Sequence, residues 1–170
     1  MGSHRRIGLA HESFAMDEAA LGAFSKRLAS AIFAAFPDAR ELARMMRSGE
    51  TDGFSLSVIF PSPTNDADRF VEVWVDEVAT PSIGFGPSHT HFGADEGGIA
   101  ETVELCRAIM SDRVVIMQDI GGEHDGHAAW LDLRDPEDLE EELTSPYSPG
   151  RVRLKSWSGA ADREAGLDTL

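Results

Sequence analysis

Two histidines placed two residues apart, His89 and His91, are the residues of this sequence best suited to chemistry. They lie in the stretch "PSHTHFGADEGG", which follows a short apolar run. In a β-strand, residues i and i+2 point to the same side, so both imidazoles can face one metal ion. Zinc is commonly held by histidine nitrogens together with carboxylate or thiolate ligands. The pair therefore predicts one candidate site, for zinc or a similar ion.

Further ligands for such an ion are available from two other places. The stretch "GGEHDGH" supplies His124 and His127, and Glu96 follows the first pair closely in sequence. A helix that links the strand "IGFG" to the strand "VVIMQ" predicts a right-handed parallel crossover, which would bring both histidine stretches to one sheet edge. A zinc ion there would act as a Lewis acid and activate water. The corresponding function is a metal-dependent hydrolase or a metal-binding protein.

A structural interpretation of the same histidines competes with the metal site. The stretch "EHDGH" is also typical of a polar hairpin loop, with Asp125 and Gly126 supplying the turn. The spacing identifies no serine–histidine or cysteine–histidine nucleophile, and the single cysteine, Cys106, falls on the apolar side of a predicted helix. The sequence leaves enzymatic activity open, favours a non-enzymatic role, and assigns no catalytic residue.

The elements that must position these residues follow from hydrophobic periodicity. Helical spacing predicts one helix between Asp17 and Pro37 and a second over "ARELARMMR". Alternation predicts strands over "FSLSVIF", "RFVEVWVD" and "TPSIGFG". We then expect a helix after Asp95, two strands joined by "GGEHDG", a helix after Asp135, and a last edge strand over "RVRLKSW", whose alternate residues are basic.

The predicted order of elements is ααβββαββαβ, which defines the fold class as α+β. We expect a mostly antiparallel sheet of about six strands with helices packed mainly on one face. A length of 170 residues suits a single domain, predicted to span residues 1–157 with residues 1–12 flexible. Residues 158–170 lack apolar periodicity, which predicts a flexible C-terminal tail.

Charge narrows the choice of partners. The chain has 30 acidic and 15 basic residues, a net charge of −15 with neutral histidines. Such a surface repels phosphate backbones and anionic lipids, so we expect no nucleic-acid and no membrane partner. It attracts a basic protein and speeds the encounter with it. One cysteine and the lack of a long apolar run are typical of a cytoplasmic protein.

Two acidic regions are candidate interaction surfaces. The strand "RFVEVWVD" places Glu72, Trp74 and Asp76 on the side opposite its valines, and the predicted helix "DPEDLEEEL" carries Asp138 and Glu141. An exposed aromatic side chain among acids favours a protein interface. The alternatives are that a helix covers this side of the strand and that the acidic helix face is merely solvated. Assembly of the chain with itself, as a homodimer, is a further alternative.

The layout from Phe54 to Met117, beginning "FSLSVIFPSPTNDADRF" and ending "ETVELCRAIMSDRVVIM", resembles that of small, acidic, mostly uncharacterised bacterial proteins. Some such proteins are immunity proteins, which neutralise a toxin domain encoded beside them. The resemblance implies a protein that binds a toxin domain, and the negative charge fits a basic toxin. For such a cytoplasmic, non-enzymatic binder we expect no cofactor. In the metal-dependent alternative, zinc is the cofactor and His89 and His91 are its ligands.

Overall fold

The computed structural model describes residues 13–47, 53–64, 66–76, 79–121, 126–144 and 150–166. These ranges contain four α-helices, ten β-strands and one short 3-10 helix, Glu18–Ala20. The helices are α1 (Ala23–Ala35), α2 (Ala39–Leu42), α3 (Glu96–Met110) and α4 (Pro136–Thr144). The strands are β1 (Ser13–Ala15), β2 (Ala43–Arg47), β3 (Phe54–Pro61), β4 (Phe70–Val75), β5 (Pro81–Phe85), β6 (Ser88–His91), β7 (Val114–Asp119), β8 (Ala128–Asp132), β9 (Arg151–Lys155) and β10 (Arg163–Gly166).

The first sheet contains β1 to β6 in sequence order, and every neighbouring pair is antiparallel. The predicted alternation puts Leu56, Val73 and Ile83 on one face, where each is fully buried. Helices α1 and α3 pack against that face and complete the larger core. Cys106 of α3 lies in this core, and its burial raises the pKa of its thiol to about 12.

The second sheet has the strand order β10-β9-β7-β8, again with antiparallel pairs. Helix α4 covers one of its faces: Leu139 and Leu143 pack in a smaller cluster with Val115, Leu131 and Leu154. Ile116 of β7, on the opposite face of that strand, belongs to the larger core instead. The second sheet therefore has one face under its own helix and part of the other face against the first sheet.

The two sheets meet where the turn between β5 and β6 approaches β7. Gly86 in that turn has a φ of +60°, and a Cβ atom built on it would lie 2.4 Å from Cδ1 of Ile116. Nearby, Arg69 donates hydrogen bonds of 3.0 and 2.8 Å to the two carboxylate oxygens of Asp162, and one of 2.7 Å to the carbonyl oxygen of Ser156. These contacts tie the β3–β4 loop to the β9–β10 loop.

The structure confirms the α+β class, with antiparallel sheets as the core. The strands divide between two sheets, however, where the sequence predicted one. The expected parallel crossover between "IGFG" and "VVIMQ" is wrong, because β5 and β7 belong to different sheets and α3 links one sheet to the other. A helix between two strands does not by itself show that those strands share a sheet.

Three local predictions also differ from the structure. The second helix ends at Leu42, and the following residues form β2, because Met45 is buried while Arg44 faces outward in register with β3. Strand β9 is internal to its sheet, not an edge. The predicted loose tail instead contains β10, where Glu164 pairs with the basic side chains of β9.

The starts of two helices agree with the sequence prediction. Helices α3 and α4 begin after Asp95 and Asp135 as predicted, and the Asp95 side chain accepts a hydrogen bond of 2.8 Å from the amide of Gly98. Residues 1–12 lie outside the described residues, and the single domain stays a prediction. Within the described ranges, no helix has the length and apolarity needed to cross a membrane.

Candidate functional site on the first sheet

The candidate site is the face of the first sheet opposite helices α1 and α3, which we call the open face. Its central residues come from four strands and from the residue that follows β4: Ser57, Ile59, Glu72, Trp74, Asp76, Ser82, Gly84, His89 and His91. Ile59 is 45 % exposed, the highest exposure of any large apolar side chain that the structure describes. The predicted alternative of a covering helix is not found in the described ranges, because α1 and α3 pack on the buried face.

The cross-strand register builds this face in rows. Trp74 of β4 stands beside Ser82 of β5, which stands beside His91 of β6. In the next row, Gly84 stands between Glu72 and His89. A Cβ atom on Gly84 would lie 3.2 Å from Cζ3 of Trp74, so the glycine leaves room for the indole to reach across β5.

The indole and the two imidazoles form an aromatic cluster. The ring centroids of His89 and His91 are 5.2 Å apart in an edge-to-face arrangement. The indole centroid of Trp74 lies 6.2 Å from that of His89 and 6.5 Å from that of His91. Edge-to-face contacts are favourable for aromatic pairs at these separations, and both pairs that involve His91 adopt them.

A polar network positions the ring of His91. The Oγ atom of Ser82 lies 2.7 Å from Nδ1 of His91, and Oδ2 of Asp76 lies 3.4 Å from the same nitrogen. Thr80 in turn holds Asp76: its amide donates a hydrogen bond of 2.9 Å to Oδ1, and its hydroxyl donates to Oδ2. The imidazole is thus oriented from one side while nearly half of the His91 side chain stays exposed.

Ser82, His91 and Asp76 are the residue types of a hydrolase triad, but their geometry is different. In a triad, the serine and the aspartate contact opposite nitrogens of the imidazole. Here both contact Nδ1, and Ser82 is fully buried, so its hydroxyl is closed to a substrate. The network orients a histidine ring and does not prepare a nucleophile.

Glu72 is held on the same face by a buried serine. The hydroxyl of Ser57 donates a hydrogen bond of 3.0 Å to Oε1 of Glu72, and Ser57 is only 4 % exposed. Arg44 of β2 pairs in register with Ser57, but its guanidinium donates to the carbonyl oxygens of Glu41 and Ala43. Glu72 and Asp76 are thus the carboxylates beside the aromatic cluster, and the guanidinium of Arg44 is held by backbone carbonyls.

The predicted metal ligands come together only in part. His89 and His91 are neighbours, but Glu96 at the start of α3 forms an ion pair of 2.7 Å with Arg27. His127 directly precedes β8, and its Nδ1 atom lies 3.8 Å from Oδ2 of Asp119. His124 lies outside the described residues. Among those that are described, no three histidine, cysteine, aspartate or glutamate side chains are grouped so that they could hold a metal ion.

The predicted interaction residues fall in two places. Glu72, Trp74 and Asp76 share the open face, as the alternation indicated. Glu141 is exposed on α4, and Asp138 belongs to the same helix, although its side chain is outside the described part of the chain. Sequence reasoning missed the supporting hydroxyls, because only the register between strands shows which acid or imidazole each one meets.

Comparison of this chain with protein-family models, with curated proteins and with solved structures found no match. The function of the open face must therefore be argued from its own chemistry.

Proposed function

We propose that this protein is an acidic, non-enzymatic binding module of the cytoplasm that docks a basic protein on the open face. An immunity protein of a bacterial toxin–immunity pair is the specific form of this proposal. The observation that carries it is the aromatic cluster of Trp74, His89 and His91 beside the carboxylates of Glu72 and Asp76, on a face opposite the packed helices.

The net charge supports this choice of partner. At −15 the chain has a negative field that attracts a basic protein from a distance and accelerates association. Since exposed charges separated by more than about 10 Å are screened at ordinary salt concentrations, association by this route slows as salt is added. Nuclease toxins, which must contact phosphate groups, are often basic and then fit this requirement.

The cluster supplies groups that recognise a cation at close range. An arginine or lysine of the partner can lie against the indole of Trp74, since cations are attracted to the face of an aromatic ring. The carboxylates of Glu72 and Asp76 lie on either side of Trp74 along the chain, and each can accept hydrogen bonds from a cationic side chain of the partner. Exposed Ile59 adds apolar area beside them. Tryptophan and arginine dominate the energy of many interfaces, so few contacts suffice.

The supporting hydrogen bonds make the face rigid before a partner arrives. Ser82 and Asp76 hold His91, and Ser57 holds Glu72. Ordering flexible side chains at an interface costs about 0.5–1.5 kcal/mol each, so side chains that are already fixed lose less on binding. This is the property expected of a recognition surface.

The test is retention of basic proteins by immobilised wild-type protein and by three variants, followed by measurement of Kd with each purified candidate. Trp74→Ala and Glu72→Gln should weaken binding of the true partner by about 10- to 100-fold. Glu141→Gln removes the same charge on α4 and should leave the Kd nearly unchanged. A genuine partner should also bind less tightly as salt rises, and in the toxin case co-expression should protect cells.

Two results would overturn the proposal. One is a Trp74→Ala variant that remains folded by circular dichroism and binds every retained protein as tightly as the wild type does. The other is that Glu72→Gln and Glu141→Gln weaken the binding of the retained proteins equally. Equal weakening would indicate attraction to the net charge of the chain and not to the open face.

A second candidate function is the binding of zinc or a similar ion by His89 and His91, and one observation favours it. Because zinc lies about 2 Å from each nitrogen, two imidazoles on one tetrahedral ion have ring centres about 5 Å apart. The observed centroid separation is 5.2 Å. A hydrolase would need further ligands and an activated water. Titration calorimetry with zinc should show stoichiometric binding that His89→Ala abolishes; an absence of heat would remove this candidate.

A further inference from the structure

A cleft lies where the two sheets meet, and none of the central residues of the open face lines it, although Phe70, at the start of β4, is on the same side of that strand as Glu72 and Trp74. Its volume is about 470 Å³, within the roughly 300–1,000 Å³ of small-molecule sites. The apolar part of its lining comes from both sheets: Phe70, Phe85 and Pro87 from the first, and Ile116 from the second. The cleft is therefore a product of the way the two sheets join.

The contacts that join the sheets also shape the cleft. At its base, Gly86 comes so close to Ile116 that there is no room for a Cβ atom. On one wall, Arg69 is fixed by its two hydrogen bonds to Asp162 and by another to the carbonyl of Ser156. The side chain of Arg69 is only 13 % exposed. The walls are held by packing and ion pairing, so the cavity does not require a ligand in order to form.

Lys155 gives the rim its distinctive charge. It pairs in register with Ile116, so its half-buried side chain stands beside the apolar base. Among the described residues, its ammonium group has no hydrogen-bond or ion-pair partner. The other two cations of β9, Arg151 and Arg153, both pair with Glu164. An unpaired cation inside a cleft is notable in a chain that has 30 acidic residues and 15 basic ones.

Other polar groups on the rim agree with an anionic ligand near Lys155. Gln118 lies two residues beyond Ile116 on β7 and also lines the cleft, so its amide can donate a second hydrogen bond. The carboxylate of Asp66 lies 3.7 Å from Nε of Arg69, and these two charges offset one another. Asp68, the remaining acid of the rim, is exposed and has an interaction of its own.

We propose that this cleft binds a small amphipathic carboxylate. The apolar part of the ligand lies against Phe70, Pro87 and Ile116, and its carboxylate accepts hydrogen bonds from the Lys155 ammonium and the Gln118 amide. This inference stands independently of the proposed function, because it uses a different part of the molecule. It assigns a ligand site to a region that joins the sheets, so occupancy stabilises the junction.

The experiment compares octanoate with octanol as probes, using calorimetry and amide NMR on the full chain. Octanoate should bind at least about tenfold more tightly than octanol and should shift the amide signals of Gly86, Ile116 and Gln118. Lys155→Met should weaken octanoate binding by about tenfold, as expected when one charge-assisted hydrogen bond is lost. Lys155→Arg should restore most of it.

Lys26→Met, on the exposed side of α1, is the matched control and should bind octanoate like the wild type. Lys155→Met should remain folded, because the ammonium that it removes contacts no described partner; circular dichroism checks this. Three results would each overturn the proposal. They are equal octanoate binding by Lys155→Met and the wild type, equal affinities for octanoate and octanol, and amide shifts confined to residues away from the cleft.

Discussion

The two sheets use the same antiparallel pairing but cover their faces differently. The first sheet buries one face under α1 and α3 and leaves the other with Trp74, two histidines and two acids. The second sheet has α4 on one face and turns part of the other, including Ile116, toward the first sheet. This difference is the reason why we propose the surface for a protein partner on the first sheet and the cleft for a small ligand where the sheets join.

The comparison also separates interactions that hold the fold from interactions that prepare a surface. At the junction, close packing and a mostly buried guanidinium link distant parts of the chain. On the open face, hydrogen bonds orient side chains whose outer atoms remain in water. Changes at the junction should therefore cost more stability than changes on the open face.

The largest loss of stability should come from Gly86→Ala. The new Cβ atom would lie 2.4 Å from Cδ1 of Ile116, and a φ of +60° is unfavourable for alanine. Strain and overpacking together should lower the free energy of unfolding by roughly 3 kcal/mol. Urea denaturation followed by circular dichroism measures this quantity.

Gly121→Ala is the matched control, because Gly121 also has a positive φ, +79°, but a Cβ atom there meets no atom of the described residues within 4 Å. It should lose about 1 kcal/mol, from backbone strain alone. Adding Ile116→Val to Gly86→Ala removes Cδ1, so the double variant should lose less than the sum of the single losses. If the losses in the free energy of unfolding from Gly86→Ala and Ile116→Val were additive, the close contact between Gly86 and Ile116 would not join the sheets.

The second largest loss should follow Arg69→Met. This change removes the guanidinium that donates to both oxygens of Asp162 and to the Ser156 carbonyl, and leaves Asp162 only its hydrogen bonds from Ser156. The loss should lower the free energy of unfolding by about 2 kcal/mol. Arg134→Met is the control, because Arg134 also forms a two-bond pair, with Asp132, but is 68 % exposed. It should scarcely move the urea midpoint. Equal shifts in the two variants would contradict a special role for the junction pair.

A smaller effect should appear as a dependence of stability on pH. Burial opposes ionisation of Asp162, but hydrogen bonds from Arg69 and Ser156 outweigh it and hold the pKa of that carboxyl below its ordinary value. The unfolded chain then binds the proton more readily. Stability from this group is present above the ordinary aspartate value, about 4, and is lost as the pH falls through the lowered pKa.

Asp162→Asn removes that titration. The urea midpoint of wild-type protein, measured between about pH 3 and pH 6, should therefore fall more steeply on acidification than that of Asp162→Asn. Parallel curves for the two proteins would show that Asp162 does not contribute to the acid sensitivity of the junction.

The smallest loss should come from Ser82→Ala on the open face. The change removes the hydroxyl that contacts Nδ1 of His91, but the exposed imidazole can take a water molecule instead. We expect a loss below about 1 kcal/mol together with greater mobility of the His91 ring in NMR relaxation. A loss as large as that of Arg69→Met would show that the open face supports the fold as much as the junction does.

Alternation made the first sheet predictable, because apolar side chains occupy every second position of β3 and the valines of β4 are buried at every second position. It placed Trp74, Glu72 and Asp76 on one side correctly. The stretch "ARMMR" misled, because its apolar residues fit a helix as well as a strand, and only its pairing with β3 decides between them. The same reason applies to β10, whose pairing rests on cross-strand charges and not on apolar spacing.

The site was predictable only to the level of single strands. Two histidines on one side of β6 follow from period two, but the contact of His91 with Ser82 requires the register of β5 against β6. The cleft could not be foreseen at all, because Lys155 and Pro87 are distant in sequence and meet only after the sheets join. Long-range contacts of this kind leave no local pattern.

The buried thiol of Cys106 gives the molecule a built-in reporter. Native protein should react very slowly with a thiol reagent at neutral pH, because the side chain is inaccessible and its pKa is raised to about 12. Labelling then requires α3 to separate from the sheet, and the chain has no other cysteine to obscure the signal. The alkylation rate thus reports how often α3 separates from the first sheet. A partner that binds only the open face should lower this rate solely by stabilising the folded protein.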